Sequence, residues 1–169
     1  LFEKIRFQIK LLPEEMLPKG FDLNRDMPYM NIENAENHSV ITGDAPTENI
    51  GRQRRRTVAL FDEFASWRQG GYPQHTAVAQ TVPAIFKVSS VKGRLNKFAE
   101  ERHSGHANVF EMDWHDHPWK DDRWHDALLY GFLGVPMSLA EVAQEIDRNY
   151  DASQPGKVFS SFSEIHHVI

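Results

Sequence analysis

The chain contains no cysteine in its 169 residues, which excludes a disulfide scaffold and any thiolate chemistry, catalytic or metal-binding. No apolar run approaches the roughly 20 residues of a membrane-spanning helix, and no signal-peptide pattern stands at the start. Positive charge is in deficit, with 19 Lys and Arg against 24 Asp and Glu and a net charge of −5. No whole-chain field therefore attracts nucleic acid, and any DNA contact must come from a local basic patch or from parts not in this chain. Internal repeats and low-complexity tracts are absent too. What is present, 40% hydrophobic and 25% charged residues, is the composition of a soluble globular protein with length enough for one sizeable core. A cytosolic setting is the simple expectation. The chain begins at Leu1 rather than Met and ends on Ile165-His166-His167-Val168-Ile169 without a closing element, so it reads as a piece of a longer protein.

Hydrophobic spacing predicts an alternation of helices and strands, hence an α/β sheet. Phe2, Ile5, Ile9 and Leu12 recur at helical spacing, and Pro13 stops the helix. Tyr29 to Ile32 and Ser39 to Thr42 read as a hairpin around the polar turn Glu33 to His38. Thr57 to Phe61 and Ala84 to Ser89 read as strands buried on both faces, and Ala107 to Trp114 as a third strand. Helices are predicted over Thr76–Val82, Arg94–Glu101, Asp121–Tyr130 and Ser138–Arg148, the last opened by the capping box Ser138-x-x-Glu141. An irregular exit segment follows Asn149.

The stretch Val58-Ala59-Leu60-Phe61-Asp62-Glu63 carries the most chemistry. Its apolar run ends in two adjacent carboxylates, at the strand end where open α/β sheets bind ligands. In P-loop NTPases the first acid of such a pair holds Mg²⁺ and the second positions or activates the attacking water. A strand ending in a solvated acidic turn explains the same residues. A second stretch, Phe86 to Phe98, runs from a strand through Ser89 and Ser90 to a turn at Gly93 and into a helix. A polar strand tip of this kind beside a γ-phosphate senses hydrolysis; an ordinary strand–turn–helix connection looks alike. Third, Ile50 to Arg56 places four arginines within five residues, Arg52, Arg54, Arg55 and Arg56. They suit phosphate oxygens, and equally a solvated basic loop.

These features, with others in order, resemble the large subunit of tailed-phage terminases, the ATP-driven DNA-packaging motors. The likeness runs through Lys4-Ile5-Arg6-Phe7, Leu12-Pro13, Ser39 to Asp44, Asn49-Ile50-Gly51-Arg52, Asp62-Glu63-Phe64-Ala65 and Ser89 to Phe98. Downstream it takes in Phe110, Trp114, Asp121-Asp122-Arg123-x-x-Asp126 and Ala143 to Ser153. The resemblance implies a P-loop NTPase-like parallel sheet, incomplete, followed by a small helical linker. Residues 1–115 would be the later half of the ATPase core, 116–150 the linker, and 151–169 the start of a connection to a nuclease domain. It implies ATP and Mg²⁺ as cofactors of the complete protein. Its partners would be double-stranded DNA, a portal protein, a small terminase subunit and further copies in a ring, in the bacterial cytoplasm and without membrane.

By position, the resemblance makes Asp62 the Mg²⁺-holding acid, Glu63 the catalytic carboxylate, and Arg52 a source of a trans-acting arginine. Ser89, Ser90, Gly93 and Asn96 match the family's coupling motif. Val91 stands where that motif usually has Pro, and Gln53 where the arginine loop has its second Gly. Two departures are larger. No Gly-x-x-x-x-Gly-Lys-Ser/Thr occurs, the only Gly-Lys being Gly156-Lys157, so the backbone cradle and Lys for a triphosphate are missing. The nuclease acids are missing as well. This chain alone is expected to be inactive and poorly soluble, as an incomplete sheet exposes its edges.

A non-catalytic prophage remnant or interaction module is the alternative reading. A His/Asp metal protein is a further one, built on Asp113, His115, Asp116, His117, Asp122, His125 and Asp126, with His103 and His106 upstream. A polar loop between a strand and a helix explains those residues too, with Trp114, Trp119 and Trp124 as packing residues.

Overall fold

A computed structural model describes residues 2–47, 50–51, 55–131 and 134–153. They form a mixed α/β protein with helices and a small parallel sheet. Among them no helix is long and apolar enough to cross a membrane. The chain divides into two compact units, 1–45 and 46–169, at a place where the sequence reading draws no boundary.

The first unit opens with α1 (Phe2–Lys10). A one-turn helix α2 (Leu23–Asp26) follows, capped by the Asp22 carboxylate, which accepts the N–H groups of Asn24 and Arg25. Asp26 is buried and held by the Arg25 guanidinium and by the Asp22 N–H. Those bonds, Arg25 first, lower its pKa to about 2. The expected hairpin is present: β1 (Asn31–Glu33) pairs antiparallel with β2 (Val40–Thr42), Ile32 opposite Ile41. Its turn closes on Asn34, whose side-chain oxygen accepts the Glu36 N–H at 2.9 Å and whose carbonyl accepts the His38 N–H at 2.8 Å.

In the second unit β3 (Val58–Phe61), α3 (Tyr72–Ala79) and β4 (Ala84–Lys87) form a β–α–β unit with the two strands parallel. The register runs from Val58 opposite Ala84 to Phe61 opposite Lys87. Phe61, Phe64, Val78 and Val82 form the core, with Trp67, Ile85 and Phe98 packed against it. The rings of Phe61, Phe64 and Trp67 lie 4.8–5.2 Å apart, centroid to centroid. Gly71 has φ +77°, and a Cβ there would come within 2.5 Å of the Phe64 ring, so the approach of α3 to the core requires glycine. α4 (Lys97–His103), α5 (Asp122–Tyr130) and α6 (Leu139–Glu145) complete the unit. Each has a side-chain N-cap, from Asn96, Asp121 and Ser138 in turn, and Ser138 with Glu141 makes the expected capping box.

Three expectations need correction. β3 and β4 are buried on one face only: Leu60 is 53% and Phe86 62% exposed, and Val58 and Val88 are also exposed. The face bearing Phe61 has α3 against it; the opposite face has no such cover among the described residues. Residues 107–113 form no strand: Phe110 is 87% exposed, and Glu111 and Asp113 are drawn instead to Arg148. Two helices are also displaced from their predicted starts. α3 begins at Tyr72, ahead of Thr76, with Pro73 in its first turn where the missing N–H costs nothing. α4 begins at Lys97 rather than Arg94 because Asn96 is the cap.

Candidate functional site

β3 ends at Phe61, and the chain reverses over Asp62 and Glu63. Glu63 lies at φ 52°, ψ 39°, in the left-handed region that a Glu rarely adopts. This reversal lets Phe61 and Phe64, on either side of the acids, both enter the core, while Asp62 and Glu63 stay exposed. The turn is fixed by Trp67 Nε1, which donates to the Asp62 carbonyl at 2.9 Å, and by the Ser66 N–H, which donates to the Glu63 carbonyl at 3.0 Å. Strained backbone of this kind persists only where its surroundings over-determine it; here the three-ring cluster does so. Among the described residues, neither carboxylate is taken up by an ion pair or a hydrogen bond.

The tip of β4 is tied to this turn. Beyond the paired strands the Val88 N–H donates to the Phe61 carbonyl at 2.8 Å, and the Phe64 N–H to the Val88 carbonyl at 3.2 Å. Next, Ser89 Oγ accepts the Ala65 N–H at 3.0 Å. Asp62, Glu63, Ser89 and Ser90 therefore stand at one end of the sheet, the carboxyl ends of two parallel strands. Gly93 and Asn96 have a different position. Asn96 is buried: its side-chain oxygen accepts the Ala99 N–H, and its amide nitrogen donates to the carbonyls of Lys92 at 2.9 Å and Gly93 at 3.2 Å. Its polar atoms are committed to shaping the loop. Val91 is buried and anchors the loop by packing. Arg52, with Gln53 and Arg54, lies outside the described residues, as do Gly156-Lys157 and His166-His167; Arg55 is exposed.

Behind the strand tips lies a charged cluster that sequence reasoning did not single out. Lys87, the last residue of β4, pairs with Glu101 of α4, which also receives His75 Nε2 of α3 at 3.0 Å. Lys97 reaches Glu100 at 2.6 Å, and the Lys87 ammonium lies 5.6 Å from the centre of the Phe64 ring. Burial, reinforced by the Lys87 charge, lowers the His75 pKa. The cluster joins α3, β4 and α4, and no local sequence motif announces it.

Several residues of the metal-protein reading are otherwise engaged. His115 bonds Asp113, and His125 bonds Asp147 at 2.8 Å. His103 packs on Tyr150, their ring centres 4.9 Å apart. Among the described residues no group of three or more His, Asp or Glu gathers to hold a metal ion. Trp114 and Trp124 pack together as expected, 5.9 Å apart, but Trp119 is 86% exposed and is no packing residue. Asp113 has its pKa lowered to about 2, by the His115 backbone N–H first, then the His115 ring, then Arg148.

Two adjacent, exposed carboxylates at a strand end offer oxygen donors of the kind that hold Mg²⁺ together with waters. The same residues do not fit a triphosphate by themselves, since the sequence holds no Gly-rich cradle with its Lys. A surface depression lined by Tyr72, Pro73, Thr76, Ala77, Gln80 and Thr81 does not include the acids. Compared with protein-family models, with curated proteins and with solved structures, the chain matches none.

Proposed function

We propose that this chain is the later half of a P-loop NTPase-type ATPase core, with the helical linker after it, from the large subunit of a phage or prophage terminase. The complete protein would hydrolyse ATP to drive double-stranded DNA into a procapsid in the bacterial cytoplasm. It would work with a portal protein, a small terminase subunit and further copies in a ring. The observation that carries this reading is the pairing at the strand ends: Asp62-Glu63 and Ser89-Ser90 follow two adjacent parallel strands and are joined by the Ala65 N–H to Ser89 Oγ bond of 3.0 Å.

In this reading the Asp62 carboxylate holds Mg²⁺, directly or through water, and Glu63 orients the attacking water and takes up its proton. Bound Mg²⁺ neutralises charge on the phosphate oxygens. Ser89 and Ser90 stand where loss of a γ-phosphate is felt, and the arginine loop from Arg52 supplies a cation to a neighbouring subunit. The triphosphate cradle comes from outside this chain, so the chain alone has no ATPase activity. Its missing P-loop also favours a second reading, a non-catalytic remnant or interaction module that keeps the sheet without the nucleotide site.

The test uses a complete protein in which a P-loop precedes these residues. Glu63→Gln should lower ATP turnover about a hundredfold or more, the range of a lost general base, while nucleotide binding is retained. Unchanged turnover refutes the catalytic assignment. Absence of any upstream P-loop in the gene leaves the second reading.

A further inference from the structure

The loop from Ser89 to Asn96 is held at a third place, far away in sequence. The Gly93 N–H donates to Ser153 Oγ at 3.0 Å in a buried bond that spans 60 residues. Next to it, the Arg94 guanidinium grips the Asp151 carboxylate through two bonds, Nε at 2.7 Å and Nη2 at 3.1 Å. The Ser153 and Asp151 side chains belong to one tight turn, closed by Asn149. Asn149 Oδ1 accepts the N–H groups of Asp151 and Ala152, and its carbonyl accepts the Ser153 N–H. That turn is fastened to α6 by the Asn149 N–H, which donates to the Ala143 carbonyl at 2.7 Å.

The loop between these attachments has little slack. Ser89 is bonded to Ala65, Val91 is buried, Gly93 is buried at φ +61°, and Asn96 ties Lys92 and Gly93 to the start of α4. A buried hydroxyl bonded to a buried N–H is exacting, because a shift that parts them leaves both unsatisfied. The exposed Arg94–Asp151 pair adds orientation more than energy.

We propose that the turn 149–153 is the receiving element of this loop. A displacement at Ser89 is carried through Val91–Gly93 to Ser153 and Asp151, and through Asn149 to α6. Ser153 and Arg94 are positioning residues: they touch no reacting atom and act by holding the two ends of one rigid link. The functional sense of the link rests on the reading of Ser89–Asn96 as a coupling loop; the link itself does not.

Amide hydrogen exchange on the full 169-residue chain, read by mass spectrometry in dilute solution without nucleotide, tests it. Ser153→Ala should speed exchange of the Gly93 N–H about tenfold, the scale of one buried hydrogen bond. It should also speed exchange of the Ala65 N–H, which has no contact with Ser153 and is bonded to Ser89. Protection of the Val82 N–H, bonded to Val78 within the core, should be unchanged, and Ser153→Thr should restore both sites by keeping the hydroxyl. Faster exchange at Gly93 with Ala65 untouched overturns the proposal, and so does failure of Ser153→Thr to rescue. Equal acceleration at Val82 marks general unfolding and overturns it as well. Because no nucleotide enters, the link is judged apart from the ATPase reading, which the Glu63→Gln turnover decides.

Discussion

Glu111 with Asp113, and Asp62 with Glu63, are both close pairs of carboxylates, and the molecule surrounds them in opposite ways. Glu111 pairs with Arg102 and Arg148, and Asp113 with Arg148, His115 and the His115 N–H. These acids are enclosed by donors from their own chain, and they tie residues 111–116 to the segment after α6. Asp62 and Glu63 have an aromatic platform of Phe61, Phe64 and Trp67 beneath them, and their oxygens are left facing solvent. Acids that serve folding are saturated by the fold; acids held on a strained turn and left open are available to something outside it. The same contrast separates Asn96, whose amide is spent on Lys92, Gly93 and Ala99, from Ser89, whose hydroxyl accepts one N–H and has capacity for more.

The platform is the place to break this comparison most forcefully. Phe64→Ala empties the centre of the core and should cost about 3–5 kcal/mol in urea unfolding, releasing the acidic turn together with the Phe64 N–H to Val88 bond. A loss below about 1 kcal/mol would show that the turn does not depend on the rings. A milder variant sharpens the contrast between the two acid pairs. Asp113 titrates at about 2 in the folded chain, against a usual 3.8. Its stabilising contribution is therefore fully present above the usual value and is lost as pH falls from 3.8 towards about 2. Asp113→Asn should destabilise at neutral pH and flatten the acid-unfolding curve in that window. Asp62→Asn, which removes no bond among the described residues, should move the thermal midpoint by no more than about 2 °C. Equal effects of the two substitutions would abolish the distinction. The smallest effect is expected on the face of the sheet that is exposed among the described residues: Phe86→Ser should change stability within about 0.5 kcal/mol while raising solubility, measured as the soluble fraction on concentration. A large destabilisation there would mean that Phe86 is packed.

Much of the local structure was legible in the residues. The polar turn Glu33 to His38 closes the hairpin, Pro13 follows the end of α1, and the Ser138–Glu141 box opens α6, each acting over a few residues as expected. Pro73 also carried a readable signal, a first-turn position, that moves the start of α3 to Tyr72. The Ala107–Trp114 expectation failed for a reason spacing alone does not contain: a strand exists only with a partner, and Glu111 and Asp113 found arginines from elsewhere in the chain. The apolar run of β3 was equally ambiguous. Val58 and Leu60 have the residue types of a doubly covered strand, yet cover is a property of what lies opposite them.

The candidate site divides along the same line. The sequence by itself determined which chemistry is on offer: two adjacent carboxylates after an apolar run, two serines after another, no cysteine and no phosphate-binding loop. It also set the local backbone rules that end each strand and start each helix. Only the tertiary structure decided that the two runs lie side by side and parallel, that Ser89 meets Ala65, and that Gly93 meets Ser153 across 60 residues. Caps and turns are settled by neighbours a few residues away, whereas pairing, cover and long-range bonds depend on which distant surfaces are buried together, a choice made by the whole core at once.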